Sequence, residues 1–311
     1  MGTHISAQLN HDHSYVQAVE GFNKISIIYT MNPFLQIPLI FWMSGYKKEY
    51  DEHLKVLKTF TENVIRERRE ALASGDVELS TKNVRKMNFL DILLSMEESN
   101  TLKPEEIREE VDTFMFAGHD TTSSWVAWAC WHLGHHPEIQ RGVYEELVDV
   151  FGDTGDVDAT SERLARLHFI DRVLKESKRM VAPVPSVQRT LRNAITIDGY
   201  RIPAGASINI APMMLNKNPN VFANADQFDP DRFLPDAIAR RHPYDYIPFS
   251  AGLRNCIGQK FAQLNEKVML ANLLLNFEIV PACGYRETRP CFEVIAKPSN
   301  GIRVRLIPRR G

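Results

Sequence analysis

From Pro104 to His136 the sequence carries no further proline. Proline stops a helix interior, because it lacks an N–H and its ring clashes with the turn before it. The stretch opens on Pro104, Glu105 and Glu106, residue types suited to a helix's first turn. It therefore predicts one long helix, and the flanking segments read as helices too. "YKKEYDEHLKVLKTFTENVIRERREAL" places Tyr50, Leu54, Leu57, Val64 and Ile65 near one face, with Gly75 as a stop. "NFLDILLSMEE" predicts a shorter helix. Pro137 opens "PEIQRGVYEELVDVFG", which Gly152 closes, and "LHFIDRVLKESKRM" ends before Pro183 and Pro185.

Beyond Pro185 the texture changes. "AITIDGYRIPAGASINIAP" alternates and carries an Asp198-Gly199 turn, which predicts strands and a hairpin. "DQFDPDRFLPD" reads as a loop and "QKFAQLNEKVMLANLLLNFEI" as another helix. The tail "FEVIAKPSNGIRVRLIP" predicts a second hairpin, turning at Asn300-Gly301. Strands are few, short and late, with no βαβ alternation. The expected fold class is mainly α with small β-sheets.

The 311 residues suffice for one large domain or two smaller ones. A net charge of -2 gives no reason to expect nucleic acid as a partner. Arg303, Arg305, Arg309 and Arg310 cluster near the end and read as a solvated strand face. The four cysteines form no C-x-x-C pair and read as reduced thiols. "IPLIFWM", Ile37 to Met43, is far shorter than the ~20 residues that span a bilayer. It fits a buried loop or helix end, or a segment dipping into a membrane surface with Lys47 and Lys48 behind it.

Three stretches break local rules. "AGHDTTSS", Ala117 to Ser124, places poor helix formers inside the long helix. A kink or two short helices would explain it; so would a groove opened for a ligand. In "ESKR", Glu176 and Arg179 stand at i and i+3. The apolar stripe of Ile170, Val173 and Leu174 leaves them outside, so in isolation they read as an exposed ion pair.

"PFSAGLRNCIG", Pro248 to Gly258, is the sharpest of the three. Gly252 permits an unusual backbone angle, and Gly258 permits close approach of a flat ligand. Cys256 stands just before a helix, whose N-terminal dipole favours a thiolate, and Arg254 adds positive charge. A zinc site needs more Cys or His nearby. A nucleophile needs a histidine base, and His119, His132, His135 and His136 lie far back with nothing to select one. A haem ligand needs one thiolate, a tight loop and room for a porphyrin face, and that requirement matches best.

These residues carry a resemblance. Phe249, Gly252, Arg254, Cys256 and Gly258 fill Phe-x-x-Gly-x-Arg-x-Cys-x-Gly, so the loop resembles the cysteine-ligand loop of the cytochromes P450. "AGHDTT" is similar to the family's oxygen-activating helix motif, "ESKR" to its Glu-x-x-Arg, and "PDRF" to its Pro-x-Arg-Phe. The words around them resemble family 4, notably its arthropod members, which act on fatty acids, hormone-like lipids or xenobiotics. The resemblance covers residues 1–311 as a single partial domain. It implies that the membrane anchor, an early sheet and early helices of the family lie outside this chain.

The resemblance implies roles, residue by residue. Cys256 would be the axial haem ligand, with Phe249 packed beside the sulfur. Arg254 and Arg189 would meet the haem propionates. Glu176, Arg179 and Arg232 would form a buried triad bracing the cysteine loop, which replaces the exposed-pair reading. Thr121 and Asp120 would relay protons, and Ala117 and Gly118 would leave space for oxygen and substrate. Many family 4 members carry Glu at the position of Ala117, where it can be esterified to haem, so a non-covalent haem b is expected. The implied activity is haem-thiolate monooxygenation of an apolar substrate with O2. Electrons would come from NADPH-cytochrome P450 reductase, with cytochrome b5 a possible second donor, at the endoplasmic reticulum membrane. The rivals are a non-catalytic haem-binding fragment and a cysteine-nucleophile hydrolase.

Overall fold

The computed structural model describes residues 14–74, 87–99 and 101–309. The helices are α1 (Ser14–Met31), α2 (Pro38–Met43), α3 (Tyr46–Ala73), α4 (Phe89–Glu98), α5 (Pro104–His135) and α6 (Pro137–Phe151). They continue with α7 (Ser161–Arg166), α8 (His168–Met180), α9 (Pro212–Leu215), α10 (Pro235–Ala239) and α11 (Gln259–Asn276). Among the described residues there are four two-stranded antiparallel sheets: β1 (Val187–Thr190) with β4 (Ser207–Ile210), β2 (Ile195–Ile197) with β3 (Tyr200–Ile202), β5 (Phe277–Pro281) with β8 (Val304–Pro308), and β6 (Pro290–Phe292) with β7 (Ala296–Pro298). The chain divides into two compact units, Met1–His119 and Asp120–Gly311.

In the first unit, α3 buries Thr61, Val64 and Ile65, as the apolar spacing implies. Leu54 departs from that face and stands 39% exposed. Val64 and Ile65 pack with Leu90, Leu93 and Leu94 of α4 and with Ile107 and Val111 of α5. Gly75, the expected stop of α3, lies outside the described residues. Asp91 ties α3 to α4. It accepts from Arg68 Nε at 2.6 Å and Nη2 at 2.8 Å, and also from the Asn88 amide at the start of α4. "IPLIFWM" forms the short helix α2, with Leu39, Trp42 and Met43 exposed rather than buried.

The second unit is built on the later half of α5. Leu133, Leu147, Leu174, Leu270 and Leu274 come from four helices into one core, closed by Ile279 of β5. Gly152 ends α6 in a left-handed φ of 80° and gives its N–H to Val148, so the expected stop is the observed one. Asp198 and Gly199 both take positive φ between β2 and β3, the requirement of a two-residue hairpin turn. The tail differs from expectation. Gly301 does turn the chain, but the strands on either side do not pair with each other. β7 returns to β6, and β8 pairs with β5 at the end of α11. The reason is a nearby partner: β5 leaves α11 with an open edge, and Gln140 of α6 secures its other groups. That buried amide bonds the Ile279 N–H at 2.8 Å and the Ile279 carbonyl at 2.9 Å. Arg309 is not a solvated residue either, since its guanidinium caps the carbonyls of Leu274 and Phe277. Arg310 lies outside the described residues. Among the described residues no helix is long and apolar enough to cross a membrane.

Two measurements check these contacts. Replacing Gln140 with Leu strands the buried Ile279 amide and should cost about 1–3 kcal/mol in denaturant unfolding. Asp91 is held below the ordinary carboxylate range by the Arg68 hydrogen bonds. Its stabilisation is therefore complete above the ordinary carboxylate pKa and is lost as pH falls through the lowered native value. The parent chain should lose stability on acidification more steeply than Asp91→Asn.

Candidate functional site

The loop around Cys256 is held by its own backbone. Gly252 sits at φ 79° and opens a short 3₁₀ turn, Gly252–Arg254. Ser250, two residues earlier, is also left-handed at φ 60°. The Cys256 N–H donates to the Phe249 carbonyl at 2.9 Å, closing the turn. Cys256 itself is exposed, three residues ahead of Gln259, the first residue of α11. Phe249 is buried and packs edge-on against Trp125 of α5, with ring centroids 4.7 Å apart. Gly258 has an ordinary φ of -82°. Among the described residues, a Cβ there would meet only the Cys256 Sγ, at 3.8 Å. Its missing side chain thus keeps clear the ground beside the sulfur.

Helix α5 runs unbroken through "AGHDTTSS". The poor local propensity does not split it into two helices, because tertiary bonds hold the segment. Lys297 pairs with Asp120 at 3.2 Å, and the Ala296 carbonyl accepts from Ser124 Oγ at 2.8 Å and from Trp128 Nε1 at 3.3 Å. Residues 120, 124 and 128 lie on one face. That face is turned to the 296–297 segment, which leaves Thr121 half-buried, one position round. Ala117 and Gly118, one turn before Thr121 on the same helix, are exposed. Among the described residues, a Cβ at Gly118 would meet nothing within 4 Å.

Glu176 and Arg179 are fully buried, against the exposed-pair reading. Arg179 forms a bidentate pair with Glu176, Nε to Oε2 at 2.7 Å and Nη2 to Oε1 at 2.8 Å. Its remaining N–H groups reach the carbonyls of Asn216, Ala225 and Gln227. Glu176 also accepts the Asp229 N–H at 2.9 Å. Arg232 joins more loosely. Its Nε lies 3.5 Å from Glu176 Oε1 without a hydrogen bond, while its Nη2 bonds the Asn224 carbonyl. The expected three residues come together, and beyond the Glu176–Arg179 fork their backbone partners lie in the 216–229 segment. Arg254 and Arg189 are exposed. Neither has an ion-pair partner among the described residues, and Arg189 bonds only the neighbouring Gln188 carbonyl.

Sequence reasoning passed over a second buried pair. Lys178 of α8 and Glu266 of α11 are joined Nζ to Oε2, with side chains 4% and 0% exposed. The Lys178 ammonium lies 4.7 Å from the Trp125 ring centroid and 5.4 Å from that of Phe249. Burial pushes the ammonium down and the carboxyl up, while each partner draws the other back. The histidines are engaged elsewhere. His132 is buried against Ser177 and Phe228, and burial pushes it down to about 3. His135 bonds the Trp131 and Cys283 carbonyls, His136 the His132 carbonyl, and His119 the Met115 carbonyl.

The family profile described as Cytochrome P450 matches residues 1–306. The chain belongs to the cytochrome P450 family. It is 41% identical to Cytochrome P450 4V2 of Homo sapiens, over 98% of this chain and 60% of the relative. To Cytochrome P450 4c3 of Drosophila melanogaster it is 38% identical, over 99% of this chain and 60% of that protein. The crystal structure of the cytochrome P450DA heme domain matches with a TM-score of 0.78 at 27% identity, covering 96% of this chain and 61% of that one. This P450 chain thus spans about 60% of the length of the curated relatives it matches. Those relatives carry family 4 names, in line with the motifs.

The residues of this P450 chain fit a haem. An exposed thiol stands in a loop whose glycine keeps the sulfur's flank open, and two exposed guanidinium groups suit carboxylates. The buried Glu176–Arg179 pair is a structural requirement that stability measurements can isolate. Replacing Arg179 with Met strips the buried Glu176 of its bidentate partner, and should cost about 3–5 kcal/mol in chemical unfolding. A loss below ~1 kcal/mol would mean the pair is not what closes the 216–229 segment.

Proposed function

We propose that the chain is the haem-binding part of a monooxygenase acting on an apolar small molecule, such as a fatty acid, a hormone-like lipid or a xenobiotic. The observation that carries this reading is the Cys256 loop, an exposed thiol fixed by the Cys256–Phe249 backbone bond beside an open glycine. Haem b, when bound, supplies the iron that reduces O2, so that one oxygen atom enters a C–H bond and the other leaves as water.

The chain's own residues then take these parts. Cys256 would give the thiolate that holds the haem iron. Phe249 covers the sulfur, and Trp125 backs Phe249. Arg254 and Arg189 hold the two propionates. Ala117 and Gly118 leave room on α5. Thr121 and Asp120 hold the protons for oxygen reduction, with Lys297 fixing the Asp120 carboxylate. The Glu176–Arg179 pair, with Arg232 beside it, keeps the 216–229 segment closed. Electrons come from NADPH-cytochrome P450 reductase, with cytochrome b5 as second donor, and the site of action is the endoplasmic reticulum membrane. Alanine at 117 has no carboxylate to esterify, so the haem is non-covalent.

A second reading is haem binding without turnover. One experiment tests the first reading and sorts it from the second. Haem is supplied to the 311-residue chain, which is reduced and exposed to carbon monoxide. A thiolate-type spectrum is expected, and Cys256→Ser should lose it; an unchanged spectrum in that variant removes Cys256 as ligand. Product from an apolar substrate, with reductase and NADPH added, separates turnover from binding alone. Acid extraction should release the haem free of protein, and recovery as a protein adduct refutes the non-covalent assignment.

A further inference from the structure

The Lys178–Glu266 pair belongs neither to the triad motif nor to the cysteine motif, yet it joins the elements that carry both. Lys178 lies on α8 between Ser177 and Arg179, and Glu266 lies on α11, the helix that Cys256 precedes. Trp125, whose ring the ammonium faces, stands one turn after Thr121 on α5. Phe249, the second ring it faces, gives its carbonyl to the Cys256 amide. Trp125, Phe249 and Ala262 form a small core of their own, and the ammonium seats against two of these three side chains. A cation over aromatic faces is attracted by the ring quadrupole, most strongly where water is excluded. Here water is excluded, and Glu266 holds the cation in register. The arrangement has a directional logic. The carboxylate fixes the ammonium, the ammonium fixes the two rings, and the Phe249 backbone fixes the cysteine.

From this geometry we infer that Lys178, clamped by Glu266, is a positioning residue for the Cys256 loop. It acts through Phe249, touching neither the sulfur nor a substrate. An apolar residue at 178 would fill the space but would exert no directional pull on the rings. The ion pair also puts its cationic member, not its anionic one, against Phe249. This inference rests on the haem-thiolate reading for its consequence at the iron. It does not rest on that reading for its consequence on the loop.

The test uses the full 311-residue chain with and without haem. The double variant Lys178→Leu with Glu266→Leu removes both charges at similar volume, a change that buried ion pairs generally tolerate without loss of stability. Its unfolding midpoint should match or exceed the parent's. In the haem-free chain, hydrogen exchange read on the segment 248–258 should nevertheless speed up at the Cys256 amide. Lys178→Arg, which keeps a cation for the rings and the carboxylate, should restore the parent rate. In the haem-loaded double variant the midpoint potential should shift negative, because the cation beside Phe249 is gone. Parent-like exchange in the folded double variant overturns the inference, since Lys178 then only fills space. If the double variant does not fold, Glu266→Gln, which removes the clamp alone, is judged by the same exchange criterion. A parent chain that takes up no haem refutes the haem reading, while the exchange measurement still decides this one.

Discussion

A guanidinium ion buried among backbone carbonyls is the constraint around which the second unit is arranged. Arg179 is 1% exposed, and taking such a charge out of water is tolerable only if its donors are matched. Glu176 takes two bonds in a planar fork, and three carbonyls from the irregular 216–229 segment take others. Phe222 from the same segment lies under the guanidinium, 5.2 Å from it. The segment has little regular structure of its own, so the charge acts as its template. A lysine there would keep the charge and lose the fork, because an ammonium carries three donors on one atom.

The conduct of α5 follows the same rule of tertiary demand over local preference. Gly118, Thr121, Thr122 and Ser123 weaken the helix one by one. Ser123 even bonds the Asp120 carbonyl, the local competition expected of serine, yet the helix continues. Ser124 and Trp128 share the Ala296 carbonyl, and Asp120 meets Lys297, so about two turns of one face are fixed from outside. Ala117 and Gly118, one turn before Thr121, are exposed small residues on the same helix.

Features legible in the sequence were those with local causes. Pro104, Pro137 and Gly152 bound helices because proline and glycine act through their own backbone. Asp198-Gly199 forms its hairpin because the turn supplies the positive φ at both positions. The Cys256 loop was legible for the same reason, since Gly252 declares its left-handed angle. Partner choice at a distance was not legible. The Asn300-Gly301 turn exists, yet β8 left it for β5, 23 residues before it in the chain at Phe277, because α11 delivers that strand with an edge to fill. The burial of Glu176 was hidden because its covering segment, 216–229, has no periodicity to reveal it.

The Lys178–Glu266 pair did leave a signal, of a kind that periodicity analysis usually discards. Ile170, Leu174 and Lys178 stand at steps of four on α8, and Ala262, Glu266, Leu270 and Leu274 do the same on α11. Each helix thus carries one charge on an otherwise apolar stripe, and the two charges are opposite. A lone charge on a core stripe reads as an error or as a snorkelling side chain. Two of opposite sign, on two helices that both adjoin the motif-bearing segments, have a cheaper solution, because each offsets part of the other's desolvation. The cationic member of the pair lies against the rings, with the Lys178 ammonium 4.7 Å from the Trp125 centroid and 5.4 Å from that of Phe249. The sequence position that best explains how the cysteine loop is held is therefore one that no motif contains as a fixed letter: the third residue of "ESKR".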